Sequence, residues 1–423
     1  MTSSTFSTLG LQPSFGFGDR LGVATPGHIK AMQCAGAGLA PIFAQQSIRE
    51  MTRTRRAPHE VIEAAEAGIR RNWNAASGAD ADHLKTCDDV ALTSAAGFTF
   101  FTIDPSDFVD QYADDYDELI LRDRFEQVRS SVAWRNSYIN HSVPLPNGRS
   151  FTIDEQAVMR CAVKYGPAIE HSITMCTHVR EVSESANRPF ELELSIDETR
   201  QPTSLAEHFI IADQHRRAGI KLVSIAPKFP GDFEKGVEYK GDLERFRQAM
   251  TDHARIAREM GPYKVSLHSG SDKLSLYPIL ARATNGCFHV KTSGTSFLEA
   301  LRVVARYDES LFRRIIDLAR RHFERDKATY HTTANLDRLP TADKDSSADQ
   351  LEIAYLDRWS DVRPGHGFTQ PGRQVLHCTF GTILSNAEIG TELRHLLQAQ
   401  IDTYTEFLAV HFEKHLRALA AGL

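Results

Sequence analysis

The sequence lacks paired cysteines, long apolar runs and a leader-like N-terminus. Its six cysteines are scattered and contain no CxxC pair, which is typical of reduced thiols rather than of a disulfide framework. No apolar run reaches the roughly 18 residues that span a bilayer, and the first residues contain no basic segment followed by an apolar one. We therefore expect a cytoplasmic protein without a membrane partner.

An excess of positive charge is also absent. Lys and Arg number 49 against 55 Asp and Glu, so the net charge is -6 and no basic footprint for nucleic acid exists. Hydrophobic residues make up 41% and charged residues 25% of the 423 residues, which are ordinary values for a folded chain with a large core. Small soluble ligands are the expected partners.

Strand-like and helix-like segments alternate along most of the chain. Eight such units are the number that closes a (β/α)8 TIM-type barrel. A doubly wound open sheet is the competing architecture, but it usually carries a glycine-rich phosphate loop after its first strand, and "GVATPGH" is not that motif. The predicted strands cover residues 20–25, 41–47, 83–89, 98–105, 190–197, 221–228, 263–270 and 287–294.

The domain division follows from this rhythm. We predict a barrel over 15–305 that is interrupted after strand 4 by a helical insertion over 105–189, because a simple βα loop has only a few residues. A lid or side subdomain over the barrel mouth is the expected product. Residues 306–423 are predicted to be a mainly helical extension, typical of packing or oligomerisation helices, so a homo-oligomer is compatible with the sequence.

Polar side chains alternate with apolar ones in four consecutive strands. In "FELELSID" and "YKVSLHSG" the polar members share one face. The outer face of a barrel strand packs against helices, so the polar face points into the lumen, whose carboxyl end forms the active-site floor. The competing interpretation is a set of structural ion pairs. The residues predicted to converge are Asp104, Asp197, Lys228, His268 and Lys291.

These side chains suggest two kinds of binding. His268, His289, Asp197 and Glu198 offer imidazole and carboxylate ligands for a divalent cation such as Zn, Mn, Ni or Co, although no HxH or HExxH spacing fixes the site. Ammonium groups favour an anionic substrate; those considered are Lys228, Lys235, Lys273 and Lys291. Three further histidines lie near predicted element ends and carry less weight: His28, His331 and His377.

Several stretches resemble the tagaturonate epimerase family of hexuronate catabolism. They include "FGFGDRLGVATPGHI", "SIDETRQPTSLAEH", "SLHSGSDKLSLYPI", "FHVKTSGTSFLEALRV" and "VLHCTFGTILSN", and they extend from residue 15 to 386. The resemblance implies a metal-dependent epimerase that interconverts D-tagaturonate and D-fructuronate. These sugar acids differ at a carbinol carbon one position beyond the carbon next to the ketone, so simple proton removal is slow there and a retro-aldol route is implied.

That route needs a base, an acid and a Lewis acid. On this resemblance the base is Glu198 or Asp197 and the acid is Asp272, with Asp272 and Glu198 exchanging roles in the reverse direction. His268 and His289 are the implied metal ligands. The implied substrate-binding residues are Lys228, Lys273, Lys291 and Thr292.

Two other functions remain open on sequence grounds. A Schiff-base aldolase or lyase acting on a sugar acid would use Lys228 or Lys291 as its nucleophile. A non-catalytic sugar-acid binding protein would turn over no hexuronate.

Overall fold

The computed structural model describes residues 5–423, and within them eight parallel strands close into a barrel. Around the barrel the strand order is β1, β10, β9, β8, β7, β4, β3, β2. This confirms the predicted (β/α)8 fold. The barrel strands are β1 (Ser14–Gly18), β2 (Ala40–Ser47), β3 (Gly78–Leu84), β4 (Phe100–Ile103), β7 (Glu191–Ile196), β8 (Ser224–Pro227), β9 (Lys264–Leu267) and β10 (Phe288–Thr292).

Helices surround the barrel because each presents an apolar stripe to it. In α8 the buried residues Phe246, Met250 and Ala257 recur at helical spacing, and Asp242 caps the first turn through the Arg245 amide. The helices of this ring are α1 (Thr25–Ala35), α2 (Ile48–Thr54), α3 (Pro58–Asn72), α4 (Cys87–Ala96), α6 (Glu155–Ser185), α7 (Leu205–Arg217), α8 (Leu243–Met260), α9 (Tyr277–Thr284) and α10 (Thr295–Tyr307).

The first strand lies earlier than the sequence predicted. It is "SFGFG" at 14–18, whereas the predicted 20–25 forms a loop that leads into α1. The Asp19 carboxylate holds this loop by accepting hydrogen bonds from the amides of Leu21, Gly22 and Ala24. Glycine is required at the end of the strand, since a Cβ at Gly18 would lie 2.6 Å from the backbone of Ser293.

The third strand is also displaced. β3 covers 78–84, so the predicted 83–89 contains only its last two residues and runs on into the start of α4, where Thr86 and Asp89 form a reciprocal capping box. β3 carries a register shift between Ala81 and Leu84, and His83 within it has φ 54°. The bulge interrupts the strict alternation of side chains, with consequences for the site.

The insertion contributes a ring helix as well as an outer layer. Its long helix α6 has 31 residues and packs against α4 and α7, so it completes the ring between β4 and β7. Outside it lie α5 (Glu118–Val128) and an antiparallel hairpin of β5 (His141–Pro144) and β6 (Ser150–Ile153). A mobile lid remains a prediction.

The C-terminal region is helical, as predicted, and it packs onto the barrel. Its last helix contacts α1, α9 and α10. None of the helices in the described part of the chain has the length and hydropathy of a membrane-spanning helix. The division at 305 remains a prediction; the helices beyond it are α11 (Glu309–Asp326), α12 (Ala348–Leu356), α13 (Gly372–Cys378), α14 (Phe380–Ser385), α15 (Ile389–Ala399) and α16 (Ile401–Ala420).

Candidate active site

A cavity of about 510 Å³ opens at the carboxyl ends of β7, β8 and β9. The structure brings four predicted site residues to its wall: Asp197, Glu198, Lys228 and His268. Lys235 and His331, which the sequence analysis considered with less weight, also line it, together with side chains that it did not consider: Arg49, Arg200, Asp232, Ser269, Thr329 and Tyr330. The helical C-terminal region therefore supplies part of the wall of this cavity, through residues 329–331.

His268 lies between two carboxylates at the floor of the cavity. Its Nε2 is 2.8 Å from Glu193 Oε1 and its Nδ1 is 3.2 Å from Asp197 Oδ1. Burial opposes the charged imidazole, but Asp197 and Glu193 outweigh burial and raise the pKa of His268 to about 10. The imidazole is therefore protonated at neutral pH in the protein without a metal.

Lys291 shares the Glu193 carboxylate with His268 and contacts two further carboxylates. Its Nζ is 2.8 Å from Asp80, 2.7 Å from Asp82 and 2.8 Å from Glu193. Burial by itself would lower the pKa of Lys291, yet these neighbours raise it above its usual range. A lysine held in this way keeps its proton, so it is a fixed positive charge.

His83 completes the floor from β3. Its Nδ1 is 3.1 Å from Asp104 Oδ2, its Nε2 is 3.7 Å from Asp82 Oδ1, and its ring centroid is 5.2 Å from that of His268. Burial opposes the charge here too, but Asp82 and Asp104 raise the pKa of His83 to about 9. Both Asp82 and His83 reach the site because the bulge in β3 breaks the alternation between them.

The sequence analysis did not assign Asp80, Asp82, His83 or Glu193 to the site. A signal was present: Asp80 and Asp82 alternate in "GADADHL", as Glu193 and Asp197 do in "FELELSID". The alternation in β3 was hidden because the third strand was predicted to begin only at residue 83.

Glu198 is the free carboxylate of the cavity. Its residue is exposed, and no ion pair or side-chain hydrogen bond involves its carboxylate among residues 5–423. Its backbone is held by the insertion, since Gln111 donates to the Glu198 carbonyl at 2.9 Å and accepts from the Arg200 amide at 3.1 Å. By contrast, Asp197 accepts from Ser195 at 2.6 Å and is already paired with His268.

Lys228 lies on the same wall and donates to the Thr199 carbonyl. Burial lowers the pKa of Lys228, and Asp197 and Glu198 only partly offset that effect. It is therefore closer to neutrality than an ordinary lysine, which suits a group that gives and takes protons.

Two predicted residues lie outside the cavity, in the loop after β9. Asp272 has 0% exposure and is 3.1 Å from Arg373, and its amide donates to His415 at 3.0 Å. Lys273 is also fully buried and donates to the carbonyls of Glu234, Val237 and Ser271. Burial lowers the pKa of Lys273 to about 8. Both side chains are enclosed by protein atoms, so neither can contact a substrate in this arrangement.

His289 and Thr292 are likewise occupied elsewhere. His289 lies two residues before Lys291 on β10 and so one layer deeper in the barrel, where its Nδ1 is 2.9 Å from Ser14 Oγ. Burial lowers the pKa of His289 to about 3, so it is neutral. Thr292 donates to the Gly16 carbonyl at 2.6 Å and ties β10 to β1.

Two groups of side chains have the chemistry of cation ligands. Among the described residues, one group of at least three such side chains has ligand atoms all within 4.8 Å: Asp272, His411 and His415. It already contains the Arg373 guanidinium, so a divalent cation there would meet positive charge. The second group is the cavity floor, with Asp82, His83, Asp104, Asp197 and His268.

Comparison with known proteins identifies the family. A family model described as tagaturonate epimerase (UxaE) matches residues 4–419. The tagaturonate/fructuronate epimerase of Thermotoga maritima is 37% identical over 411 residues, which cover 97% of this chain and 81% of that protein.

Solved structures agree with this family match. The native crystal structure of fructuronate-tagaturonate epimerase UxaE from Cohnella laeviribosi superposes with a TM-score of 0.89 at 34% identity, covering 99% of this chain and 83% of that one. A glycerol complex of the same enzyme gives a TM-score of 0.88, with 98% and 83% covered. Because the family model and these relatives extend over nearly all of its length, this chain belongs to the tagaturonate epimerase family, a family of isomerases.

Proposed function

We propose that this enzyme interconverts D-tagaturonate and D-fructuronate by a retro-aldol and aldol sequence that requires a divalent cation. The observation that carries the proposal is the cavity itself. It places an unpaired carboxylate, Glu198, beside a lysine of lowered pKa, Lys228, above a floor rich in imidazole and carboxylate groups. Family membership supports the substrate pair.

The chemistry begins with removal of the hydroxyl proton on the carbon to be inverted. The electron pair of the O–H bond forms the aldehyde C=O, the neighbouring C–C bond breaks, and its electrons become an enediolate on the ketone fragment. The aldehyde then turns over, the C–C bond reforms on its opposite face, and a proton returns to the new alkoxide. No atom is gained or lost.

Glu198 is the proposed base, because its carboxylate faces the cavity without an internal partner. Lys228 is proposed to give the proton to, and take it from, the corresponding hydroxyl oxygen of the other epimer, because it lines the same wall and burial lowers its pKa. It replaces Asp272 in that role, since the Asp272 carboxylate is enclosed by Arg373, Thr295 and His411. Asp197 acts by holding His268 in place.

The cavity floor fits the implied cation by its charge. Five carboxylates share one fixed ammonium, Lys291, which contacts three of them; four are buried and Asp197 is half-buried, and the five are Asp80, Asp82, Asp104, Glu193 and Asp197. Without a cation, two imidazoles of raised pKa supply the missing positive charge. A divalent ion would supply the same two charges, with His83, His268 and Asp197 as ligands, and would stabilise the enediolate. His289 lies one layer too deep to join them.

Incubation of the metal-loaded enzyme with each sugar acid separately, followed by NMR, tests the proposal. Both incubations should converge on one mixture, and a chelator should stop the reaction until metal is restored. Glu198→Gln should lower kcat by roughly 100-fold or more, as removal of a general base does. Asp232→Asn is the matched control, because Asp232 lines the same cavity but pairs with His331, and it should keep most of the activity. Failure to convert either acid overturns the proposal.

A Schiff-base aldolase remains the second candidate, and the lowered pKa of Lys228 favours that lysine over Lys291 as its nucleophile. Cyanoborohydride added with the substrate would then trap a covalent adduct on Lys228. We expect no adduct, and its absence together with chelator-sensitive turnover favours the epimerase.

A further inference from the structure

We propose that Arg49 and Lys235 form the subsite that binds the substrate's carboxylate and selects sugar acids over neutral ketoses. This inference rests on the proposed function and names the residues behind its substrate class. Arg49 is the second residue of α2, the helix that directly follows β2, and Lys235 lies in the loop after β8. Both side chains therefore reach the cavity from the ends of barrel strands.

The first support is that these cations have no anionic partner. Neither Arg49 nor Lys235 forms an ion pair with any carboxylate in residues 5–423, although both line the cavity; Lys235 donates only to the Ser269 hydroxyl. Other candidate cations are already satisfied: Lys291 by three carboxylates, Lys273 by backbone carbonyls, and Arg200 by Asp115 at 3.0 Å. A carboxylate ligand would complete what the protein leaves open.

The second support is that the Arg49 guanidinium is held in place by a platform. Its central carbon lies 5.3 Å from the centre of the Tyr330 ring. That ring is fixed in turn, because Arg53 donates to the Tyr330 hydroxyl at 2.9 Å and to the Thr329 hydroxyl at 3.0 Å. A guanidinium oriented before binding loses less entropy when it forms a bidentate contact to a carboxylate.

The third support is electrostatic. Burial lowers the pKa of Lys235, Glu198 and Asp197 offset this only in part, and the charge of Arg49 lowers the pKa further, so the two cations repel each other across the cavity. Glu50, a carboxylate that acts on both cations, is taken by Arg20 at 2.6 Å. A ligand carboxylate between Arg49 and Lys235 would relieve this repulsion, whereas the CH2OH group of a neutral ketose would not.

Equilibrium binding tests this subsite separately from turnover. Isothermal titration of the metal-loaded, full-length enzyme with D-tagaturonate and with D-tagatose, which has CH2OH in place of the carboxylate, gives two Kd values for each variant. Arg49→Gln and Lys235→Met should each weaken the binding of D-tagaturonate by roughly 10- to 100-fold, as loss of a charge-assisted hydrogen bond does. The Kd for D-tagatose should change by no more than about twofold.

Arg200→Gln is the matched control, because Arg200 lines the same cavity but its guanidinium binds Asp115. It should leave both Kd values unchanged, and thermal melting should show that all three variants are folded. The proposed subsite is overturned if D-tagaturonate binds Arg49→Gln as tightly as it binds the unaltered enzyme. It is also overturned if the substitutions weaken the binding of D-tagaturonate and of D-tagatose equally. Failure of the proposed function would appear differently, as binding of D-tagaturonate by the unaltered enzyme without NMR turnover.

Discussion

Two buried charged clusters lie at opposite ends of one short loop, 268–272, and they are built from the same residue types. The floor cluster contains His268, His83, Lys291 and the carboxylates around them. The anchor cluster contains Asp272, Glu299, Arg373, His411 and His415, and it joins the loop to helices α10, α13 and α16. One cluster borders the cavity and the other is enclosed.

They differ in how charge is balanced. In the anchor cluster the carboxylates of Asp272 and Glu299 are matched by the guanidiniums of Arg373 and Arg302. Burial then outweighs the attraction of Asp272 at the histidines, and it lowers the pKa of both His411 and His415. In the floor cluster carboxylates outnumber fixed cations, and the pKa of His268 and of His83 is raised instead.

The comparison separates structural charge from functional charge. A cluster whose carboxylates are matched by guanidiniums holds elements together and offers no excess charge to a ligand. An unbalanced cluster beside a cavity attracts protons or a cation, and so has the properties of a reactive centre. Each prediction below replaces one residue in each cluster and asks whether this distinction holds.

The largest effect is expected from removing the central cations. Lys291→Met leaves three buried carboxylates without their ammonium, and Arg373→Met leaves Asp272 without its guanidinium. Each should lower the free energy of unfolding by about 3–5 kcal/mol, since an uncompensated buried charge is left behind. Urea denaturation monitored by circular dichroism measures this change in the free energy of unfolding.

A second substitution distinguishes the two clusters. Adding Asp272→Asn to Arg373→Met removes both charges of the ion pair and should recover more than half of the lost free energy of unfolding. Adding Asp80→Asn to Lys291→Met should recover much less, because Asp82 and Glu193 keep their charges. Equal recovery in both pairs would show that the floor cluster is as balanced as the anchor cluster.

The next effect is on activity. His268→Gln should lower kcat by roughly 100-fold or more, because His268 lies at the cavity and links Asp197 with Glu193. His411→Gln should lower the melting temperature but leave kcat per folded molecule within about threefold, since His411 is buried away from the cavity, against Asp272 and Thr295. NMR-monitored epimerisation measures kcat for both. A large loss of kcat in His411→Gln would place the anchor cluster in the reaction.

Much of the floor was predictable because strand alternation is a local signal. Asp197 and His268 followed from the polar faces of β7 and β9, and Lys291 from that of β10. The same reasoning fails once a strand ends. Ser269 and Asp272 have φ values of 54° and 63°, and this turn carries Asp272 away from the cavity that His268 lines.

The remaining misses also have physical causes. β1 was misplaced because its glycines resemble a turn, although they allow close approach between strands. Asp80 and Asp82 were missed when β3 was predicted too late in the chain. Arg49 and Tyr330 meet only through tertiary packing, since 281 residues separate them in the numbering, and no local pattern indicates such a contact.

The smallest effect concerns pH, and it has opposite signs in the two clusters. His268 in chelator-treated protein has its pKa raised from 6.5 to about 10, so its stabilising contribution is complete below pH 6.5 and is lost as the pH rises toward 10. His411 has its pKa lowered from 6.5, so its contribution is complete above pH 6.5 and is lost as the pH falls below that value.

Unfolding free energies measured from pH 5 to pH 10 separate these contributions by difference. The unfolding free energy of the unaltered protein minus that of His268→Gln should decline steadily as the pH rises above 6.5. The unfolding free energy of the unaltered protein minus that of His411→Gln should instead decline as the pH falls below 6.5. The difference also removes shared contributions, such as those of the buried His208 and His253, whose pKa values burial lowers. If both differences declined on the same side of the pH range, the two clusters would carry the same charge imbalance. The cavity floor would then be no better suited to bind a cation than the anchor cluster.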